Sequence, residues 1–482
     1  ASHEVLSAFR EYERTATTVA DAFVTPALST YLGQLVEDAA ELGLPEPRVM
    51  QSNGGIAAVE TVREHAVTTA LSGPAAGVVG ASAFEPDDVS GLVTFDMGGT
   101  SSDVSLVRDG AVERTTDADV GTRPVRVPMV DIETVGAGGG SIAWVDAGGA
   151  LRVGPQSAGA EPGPACYGRG GTDPTVTDAA LVLGYLGAET TLGAALSLDV
   201  AAARGALSTL ADEAGLDGPV EAARGVYRVA NATMTRTIRS VTAERGHDPR
   251  EFAIAAFGGA GPMHAAALAD RLDVGTVVVP RANGVLSALG LLAADERHDA
   301  VRTYRTTLAD ADPDAVAGVL DDLEATVLDE TADPDAAAVA FEADCRYAGQ
   351  SHELGVAIDG FDRAGLRRRF HAAHDAAHGY RLDADVELVT LRATAAVPHE
   401  TPPTAHDVDE ATEPRTREVS FEGAFRETPV LRWDGLGTST TREGPAIVAG
   451  GESTVVVPPE WTLSVDARGT LRLEAAAGGA QR

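Results

Sequence analysis

One stretch of the chain constrains the fold more than any other, because strand-like apolar runs, glycine turns and helices alternate in it. Residues 252–257 are apolar throughout, residues 258–262 form a glycine- and proline-containing turn, and a helical pattern continues to Leu272. A second apolar run at residues 276–279 is followed by a helix that begins near Asn283. This strand–helix–strand–helix order predicts an α/β layer architecture.

A second strand-turn-strand pattern lies upstream. Residues 91–95 form a mostly apolar, strand-like run that leads into Asp96. Gly98 and Gly99 follow, and residues 103–108 again alternate like a strand. The pattern predicts a β-hairpin with a polar tip. Asp96 and Asp103 then stand at the ends of the two strands, on either side of the turn.

The residue types at this tip suit a phosphate site. Glycines let backbone N–H groups approach a polyphosphate closely, hydroxyl groups add donors, and carboxylates can hold hydrated Mg²⁺. We therefore predict that Asp96 and Asp103 act as catalytic and metal-binding residues, and that phosphate is bound by Gly98, Gly99, Thr100 and Ser101. The alternative is an ordinary Asp-Gly hairpin tip with solvated acids.

The turn after residues 252–257 is a weaker candidate. Gly258, Gly259 and Gly261 separate a strand from a helix, where the backbone can lie against the sugar and base of a nucleotide. The same pattern also arises when a strand and a helix simply pack closely, so the motif alone decides nothing.

Patterning elsewhere predicts further elements and the boundaries of four regions. Residues 4–42 predict a pair of amphipathic helices, the Gly- and Pro-rich residues 136–171 a long structured loop, and residues 401–414 a linker before a small all-β module. The predicted boundaries are 1–85 for a helical connector with part of a first lobe, 86–300 for a second lobe, 301–400 for an α/β accessory domain, and 401–482 for the linker and β module.

Composition limits the partners of the protein. The formal charge is -35 and the chain has no lysine, so all 37 basic residues are arginine. Acidic residues are spread along the whole chain, which disfavours nucleic acid or anionic membranes as partners and indicates a halophilic protein. The N-terminus lacks the pattern of a secretory signal, which predicts a cytoplasmic location. Cys166 and Cys345 have neither disulfide-framework nor zinc-site spacing.

The order of these elements resembles the superfamily of actin, sugar kinases and heat-shock chaperone ATPases. In that superfamily a first connector, a second phosphate loop, an adenosine loop and a second connector follow one another. The corresponding segments here are the small-residue stretch 72–81, the hairpin 96–103, the turn 258–261 and the stretch 283–290. The resemblance implies an actin-like ATPase fold of the α/β class.

A closer resemblance is to the hydantoinase/oxoprolinase family, which includes the A subunit of N-methylhydantoinase, 5-oxoprolinase and a subunit of ketone carboxylases. Matching stretches span nearly the whole chain: Arg10–Arg14, Gln51–Gly55, Ser72–Gly77, Asp96–Asp103, Gly136–Ser141, Gly163–Gly168, Arg346–Gln350 and Gly444–Val448. Members of the family carry a first Asp-Gly-Gly-Thr loop near their N-terminus, whereas this sequence holds only the second. The resemblance therefore implies a fold that is incomplete at its N-terminus.

Three explanations of the missing loop stay open: a separate chain that carries it, a truncated sequence, or lost ATP turnover. The resemblance implies ATP and Mg²⁺ as cofactors, a B-type partner subunit, and phosphorylation of an amide or enolate oxygen. The expected function is the ATP-driven hydrolytic opening of a cyclic amide such as hydantoin or 5-oxoproline. A ketone-carboxylase subunit and a non-catalytic nucleotide-binding scaffold are the alternatives.

Several other residues attract attention without a strong pattern behind them. His264, His247 and Asp131 are conceivable acid–base groups, although a histidine in the first turn of a helix is more often a structural hydrogen-bond partner. Cys166 is a conceivable reactive thiol, with packing the more common role. The three glycines 138–140 are predicted either to line a substrate cleft or to form a tight turn.

Overall fold

The computed structural model describes residues 2–189, 197–399 and 414–476, and it is a mixed α/β fold. Two compact units can be distinguished. The first comprises Ala1–Val79, Glu113–Asp131 and Gly290–Pro402, and the second comprises Gly80–Val112, Ile132–Leu289 and Pro403–Arg482. Within the described residues, the chain therefore crosses from one unit to the other four times.

The α-helices of the described residues are α1 Ser2–Val5, α2 Glu11–Glu41, α3 Val59–Glu64, α4 Ser72–Ser82, α5 Val176–Val182, α6 Val200–Ala214, α7 Gly218–Val241, α8 Gly261–Leu272, α9 Leu286–Ala293, α10 Pro313–Asp329 and α11 Arg363–His378. The predicted small-residue helix at 72–81 is confirmed as α4. None of these helices combines the length and the apolar character needed to cross a bilayer.

The first unit is built on a six-stranded sheet with the order β1-β2-β15-β18-β16-β17. Its largest core cluster packs helices α10 and α11 on strands β16, β17 and β18. The strands are β1 Arg48–Met50, β2 Ile56–Ala58, β15 Glu296–Thr307, β16 Ala338–Tyr347, β17 Leu354–Ile358 and β18 Val386–Val397, with two short hairpin pairs formed by β6 Arg114–Thr115, β7 Ala118–Val120, β8 Arg123–Val125 and β9 Met129–Val130.

The sequence predicted a pair of amphipathic helices over residues 4–42. The structure instead has one continuous helix over residues 11–41. Helix α2 has 31 residues and contains Pro26. Its buried side includes Asp21, whose carboxylate accepts a hydrogen bond from the Val67 N–H at 3.0 Å. The opposite side exposes the large apolar residues Tyr12, Val19 and Phe23.

The second unit is built on a larger sheet with the order β10-β4-β3-β13-β14-β25-β24-β21, in which β5 also pairs with β4. Its strands are β3 Gly91–Met97, β4 Ser102–Arg108, β5 Ala111–Val112, β10 Glu133–Val135, β13 Ala253–Phe257, β14 Thr276–Val279, β21 Thr441–Glu443, β24 Trp461–Val465 and β25 Leu471–Ala475. The predicted order of residues 252–293 is confirmed, because β13, α8, β14 and α9 follow one another and β13 and β14 are parallel.

The Gly- and Pro-rich residues 136–171 are ordered, as predicted. They contain the hairpin of β11 Ser141–Val145 and β12 Leu151–Ser157, followed by a short 3-10 helix at Ala165–Tyr167. Asp178 at the start of α5 stabilises this segment. Its buried carboxylate accepts hydrogen bonds from the Cys166 N–H at 2.7 Å and the Thr175 N–H at 2.9 Å.

The C-terminal residues are all-β, but they do not stand apart as a separate module. A four-stranded sheet contains β19 Arg415–Phe421, β20 Ala424–Arg432, β22 Ala446–Ala449 and β23 Thr454–Val457. Strands β21, β24 and β25 instead extend the large sheet, where β25 pairs antiparallel with β14. The pairing covers what would be an exposed edge of β14, and both sets of strands share the core of the second unit. The predicted linker at 401–414 lies almost entirely outside the described residues.

Candidate functional site

The predicted hairpin with a polar tip is confirmed and lies in the second unit. Strands β3 and β4 are antiparallel, with Asp96 directly opposite Asp103. Directly opposite residues in an antiparallel pair project from the same face of the sheet. The two carboxylates are therefore close neighbours, as a shared cation site requires.

Both carboxyl groups have raised pKa values. Burial, reinforced by the negative charge of Asp103, raises the pKa of Asp96 to about 6. Burial also raises the pKa of Asp103, although the Thr134 hydroxyl opposes this by donating a 2.6 Å hydrogen bond to its Oδ1. Two half-buried carboxylates that repel each other are an arrangement that a bound cation would stabilise.

The tip between the two strands offers backbone donors. The Gly98 N–H donates to the Ser101 carbonyl at 3.1 Å and so closes the turn. The N–H groups of Gly99 and Thr100 donate to no protein acceptor in the described part of the chain, and residues 98–100 are exposed. A Cβ added at Gly98 or Gly99 would meet nothing within 4 Å, so the space in front of the tip is open.

The three glycines 138–140 pack behind this tip. The N–H groups of Gly139 and Gly140 donate to the carbonyls of Gly98 and Gly99, at 3.0 and 2.6 Å. A Cβ on Gly138 would lie 2.6 Å from backbone atoms of Thr100, closer than packed atoms can approach. The predicted tight turn is present, because the Ser141 N–H donates to the Gly138 carbonyl at 3.1 Å. The packing of these glycines holds the phosphate-loop candidate in place, and their place in a substrate cleft stays a prediction.

The predicted adenosine turn adjoins the Asp96 carboxylate. Strand β13 pairs in parallel with β3, which sets Phe257 beside Asp96. Gly258 follows with a φ of +78°, and a Cβ there would collide with the Asp96 carboxylate. The Ala260 N–H donates to the Met97 carbonyl at 2.9 Å. The hairpin and the turn, predicted independently, therefore form one continuous surface at one edge of the sheet.

Comparison with known proteins identifies the family of the chain. The sequence family described as hydantoinase/oxoprolinase matches residues 14–300. The chain belongs to the hydantoinase/oxoprolinase family.

Several individual members of the family resemble this chain over nearly its whole length. The caprolactamase alpha subunit of Pseudomonas jessenii is 37% identical over 495 residues, which cover 98% of this chain and 71% of that protein. 5-Oxoprolinase 1 of Arabidopsis thaliana is 35% identical over 507 residues, which cover 96% of this chain and 39% of that protein.

Solved structures agree with the sequence comparisons. The crystal structure of the ATP-dependent caprolactamase from Pseudomonas jessenii matches with a TM-score of 0.86 and 34% identity, covering 99% of this chain and 72% of that one. A nucleotide-free structure of acetone carboxylase matches with a TM-score of 0.76 and 25% identity, covering 99% of this chain and 71% of that one. More than a quarter of each matched chain has no counterpart in these 482 residues.

The other polar residues singled out from the sequence do not join the hairpin site of this family member. His264 is fully buried, and its Nδ1 lies 2.9 Å from Oδ1 of Asn231. Burial lowers the pKa of His264 to about 3, so the ring is neutral and structural. Burial raises the pKa of the Cys166 thiol well above its usual range, which keeps the thiol unreactive. The ring of His247 packs edge-on against Phe252, and Asp131 belongs to the first unit.

Sequence reasoning missed two residues near the site. Thr134 reaches Asp103 only because β10 pairs with β4, and β10 is too short to leave a strand pattern. Glu452 lies on a turn of the C-terminal strands and approaches both Gly259 and Gly284. No local pattern links residues separated by about 170 to 190 positions, so only the tertiary structure reveals this proximity.

The donor set of the hairpin suits Mg²⁺ better than a metal that needs an all-protein cage. Among the described residues no group of three or more His, Cys, Asp or Glu side chains could hold a metal ion. Mg²⁺ is commonly bound by one or two carboxylates together with water and substrate phosphates. Asp96 and Asp103, with their raised pKa values and the open space before the tip, fit that pattern.

Proposed function

We propose that the chain is the A-type subunit of an ATP-dependent hydantoinase/oxoprolinase-type hydrolase. In this proposal it drives the hydrolytic opening of a cyclic amide together with a B-type partner subunit, on an actin-like ATPase fold. The observation that carries the proposal is the contact between two predicted loops. The carboxylate of Asp96 lies against Gly258, so a phosphate loop and an adenosine turn would face the same nucleotide.

Each residue of the site has a role in this proposal. Asp96 and Asp103 would hold Mg²⁺, which offsets the charge of the phosphates when bound. The N–H groups of Gly99 and Thr100, with the hydroxyls of Thr100 and Ser101, would donate to phosphate oxygens. Gly98 would contribute open space rather than a donor, because its N–H already closes the turn. Gly258, Gly259 and Gly261 would lie against adenosine.

Transfer of the terminal phosphoryl group to the amide oxygen would activate the ring. Water then attacks the carbonyl carbon and the C–N bond breaks, which leaves an acyl phosphate. A second water hydrolyses that acyl phosphate, so that ADP, phosphate and the ring-opened acid are released. The part played by this chain would be to position the nucleotide and to stabilise the charge on the transferred group with fixed backbone donors.

A cyclic amide is favoured over a ketone by the degree of similarity. Among the solved structures, the caprolactamase matches with 34% identity and a TM-score of 0.86, against 25% identity and 0.76 for acetone carboxylase. A carboxylase subunit is kept as the second candidate because the acetone carboxylase match also covers 99% of this chain.

A partner polypeptide is supported by the exposed side of α2. Tyr12, Val19 and Phe23 on this helix are 69%, 61% and 84% exposed, and their spacing of seven and four residues puts them on one face. Large apolar side chains grouped on one exposed helix face are typical of protein–protein contact sites. We propose that a polypeptide equivalent to the unmatched quarter of the relatives, which would carry the first phosphate loop, packs here.

The proposal is tested by ATP hydrolysis in concentrated salt with Mg²⁺. The chain is assayed alone and with the candidate N-terminal and B-type polypeptides, with hydantoin, 5-oxoproline or caprolactam added. Wild type is compared with Asp96→Ala and with Asp212→Ala, a matched control at an exposed position of α6. We expect hydrolysis in the assembly that rises with a cyclic amide, is lost in Asp96→Ala and is retained in Asp212→Ala.

Other outcomes separate the alternatives. Hydrolysis stimulated by a ketone and bicarbonate, but by no cyclic amide, would favour the carboxylase. Nucleotide binding without turnover in the complete assembly would favour a non-catalytic scaffold. The ATPase assignment is wrong if the assembly binds no nucleotide and Asp96→Ala changes nothing.

A further inference from the structure

A turn of the C-terminal strands reaches the candidate nucleoside end of the site. Residues 450–453 connect β22 to β23, which pair antiparallel from Ala446 to Val457. The Gly450 N–H donates to the Ser453 carbonyl at 2.9 Å, and a Cβ on Gly450 would lie 3.4 Å from the Trp433 ring. Trp433 is buried, so the turn is fixed on both sides.

Glu452 at the top of this turn lies against two glycines from elsewhere in the second unit. A Cβ on Gly259 would lie 3.8 Å from the Glu452 carbonyl oxygen, and a Cβ on Gly284 would overlap the Glu452 side chain. The segments that carry these two glycines are hydrogen-bonded to each other, because the Gly258 N–H donates to the Asn283 carbonyl at 2.9 Å. Glu452 therefore lies where two glycine-containing segments meet, and only glycine at 284 leaves room for it.

The side chain of Glu452 has no other evident task. It is exposed, and it makes no ion pair or hydrogen bond within the described ranges of the chain. Gly259 and Gly284 are exposed as well, so a ligand can reach the junction from solvent. The Glu452 carboxylate packs against the backbone of Gly284 and faces solvent, so it is available to a ligand.

Buried polar atoms without partners flank the junction. Oδ1 of Asn283 and Oγ of Ser453 are buried and make no hydrogen bond in the structure. A buried polar atom without a partner carries an uncompensated desolvation cost, so each one calls for an explanation. Both lie next in sequence to residues of the junction, Asn283 beside Gly284 and Ser453 beside Glu452.

The chemistry of a carboxylate decides which part of a nucleotide belongs here. An ionised carboxylate only accepts hydrogen bonds, and it repels phosphate groups. The two hydroxyl groups of a ribose are donors and carry no charge, so they complement it. Phosphates are also assigned to the other end of the surface, at residues 98–101, which leaves the nucleoside for the junction.

We propose that Glu452 binds the ribose hydroxyl groups of the nucleotide and makes the site selective for ribonucleotides. This inference rests on the proposed function, because it requires that ATP binds across the hairpin and the turn. It assigns the C-terminal strands a direct part in nucleotide recognition, through one residue positioned by Gly284.

The test measures binding of four ligands to the assembly with the partner polypeptides, in the presence of Mg²⁺: ATP, 2′-deoxy-ATP, 3′-deoxy-ATP and inorganic tripolyphosphate. We expect wild type to bind ATP about tenfold more tightly than at least one of the deoxy analogues, as one charge-assisted hydrogen bond allows. Glu452→Ala should bind ATP and both analogues alike, with tripolyphosphate binding undiminished. Gly284→Ala should behave like Glu452→Ala, because it displaces the carboxylate without removing it.

The controls separate this inference from the proposed function. Glu427→Ala, at an exposed position of β20, should keep the wild-type preference. The inference is overturned if Glu452→Ala discriminates as wild type does, or if wild type binds ATP no better than either deoxy analogue, even while tripolyphosphate binding supports the phosphate site. If wild type binds neither ATP nor tripolyphosphate, the proposed function fails together with the inference. Tryptophan fluorescence of each variant verifies its folding, since Trp433 packs beneath the turn.

Discussion

Replacing Asp96 by asparagine removes a half-buried negative charge and keeps the shape of the side chain. Burial and the neighbouring charge of Asp103 raise the pKa of Asp96 from 3.8 to about 6. Because the folded state holds this proton more tightly than the unfolded state, ionisation of Asp96 destabilises the fold as pH rises through about 6. The penalty is absent below pH 3.8 and complete above pH 6.

The size of the effect follows from the shift. A change of about two pKa units corresponds to about 3 kcal/mol, at about 1.4 kcal/mol per unit. We expect Asp96→Asn to unfold with a free energy about 3 kcal/mol higher than wild type at pH 8. The difference should fall to roughly half that value at pH 5, where the unfolded carboxyl is ionised and the folded one is mostly protonated.

Urea denaturation followed by tryptophan fluorescence measures this difference. All three tryptophans, Trp144, Trp433 and Trp461, lie in the second unit, which also contains Asp96. Asp212→Asn serves as the control for the loss of one acidic residue from an exposed position of a very acidic protein. The reasoning is refuted if Asp96→Asn is no more stable than wild type at pH 8, or if Asp212→Asn gives the same gain.

Three further predictions test other parts of the second unit. Gly138→Ala should weaken ATP binding at least about tenfold, because its Cβ would lie 2.6 Å from the Thr100 backbone; Gly205→Ala on α6, where a Cβ meets nothing, should bind normally and gain about 0.5–1 kcal/mol. Equal binding by both variants would contradict the packing argument. Asp178→Ala should lose about 3–5 kcal/mol in urea denaturation, because several buried donors lose their acceptor; a loss below about 1 kcal/mol would be inconsistent with this. Asp103→Ala should lower ATP hydrolysis by the assembly at least about 100-fold, and retention of activity would remove Asp103 from the metal site.

Helix α2 and the C-terminal strands show which structural features local sequence patterns do not predict. Apolar spacing in residues 4–42 indicated helical structure, but it could not show that one helix spans Glu11–Glu41, since Pro26 suggests a break that the fold tolerates. Turn signals after residue 414 indicated strands. They could not show that β25 pairs with β14, because strand pairing between distant segments leaves no local pattern.

The candidate site likewise has a part that the sequence determined and a part that only the tertiary structure decided. By itself the sequence determined the hairpin that carries Asp96 and Asp103 and the glycine turn at 258–261, because glycine spacing and apolar runs act over a few residues. Only the tertiary structure decided that the turn lies against Asp96 and that Glu452 meets Gly284. Those contacts join segments about 160 residues apart. The parallel pairing of β13 with β3 creates the first, and the packing of the turn between β22 and β23 against Gly284 creates the second.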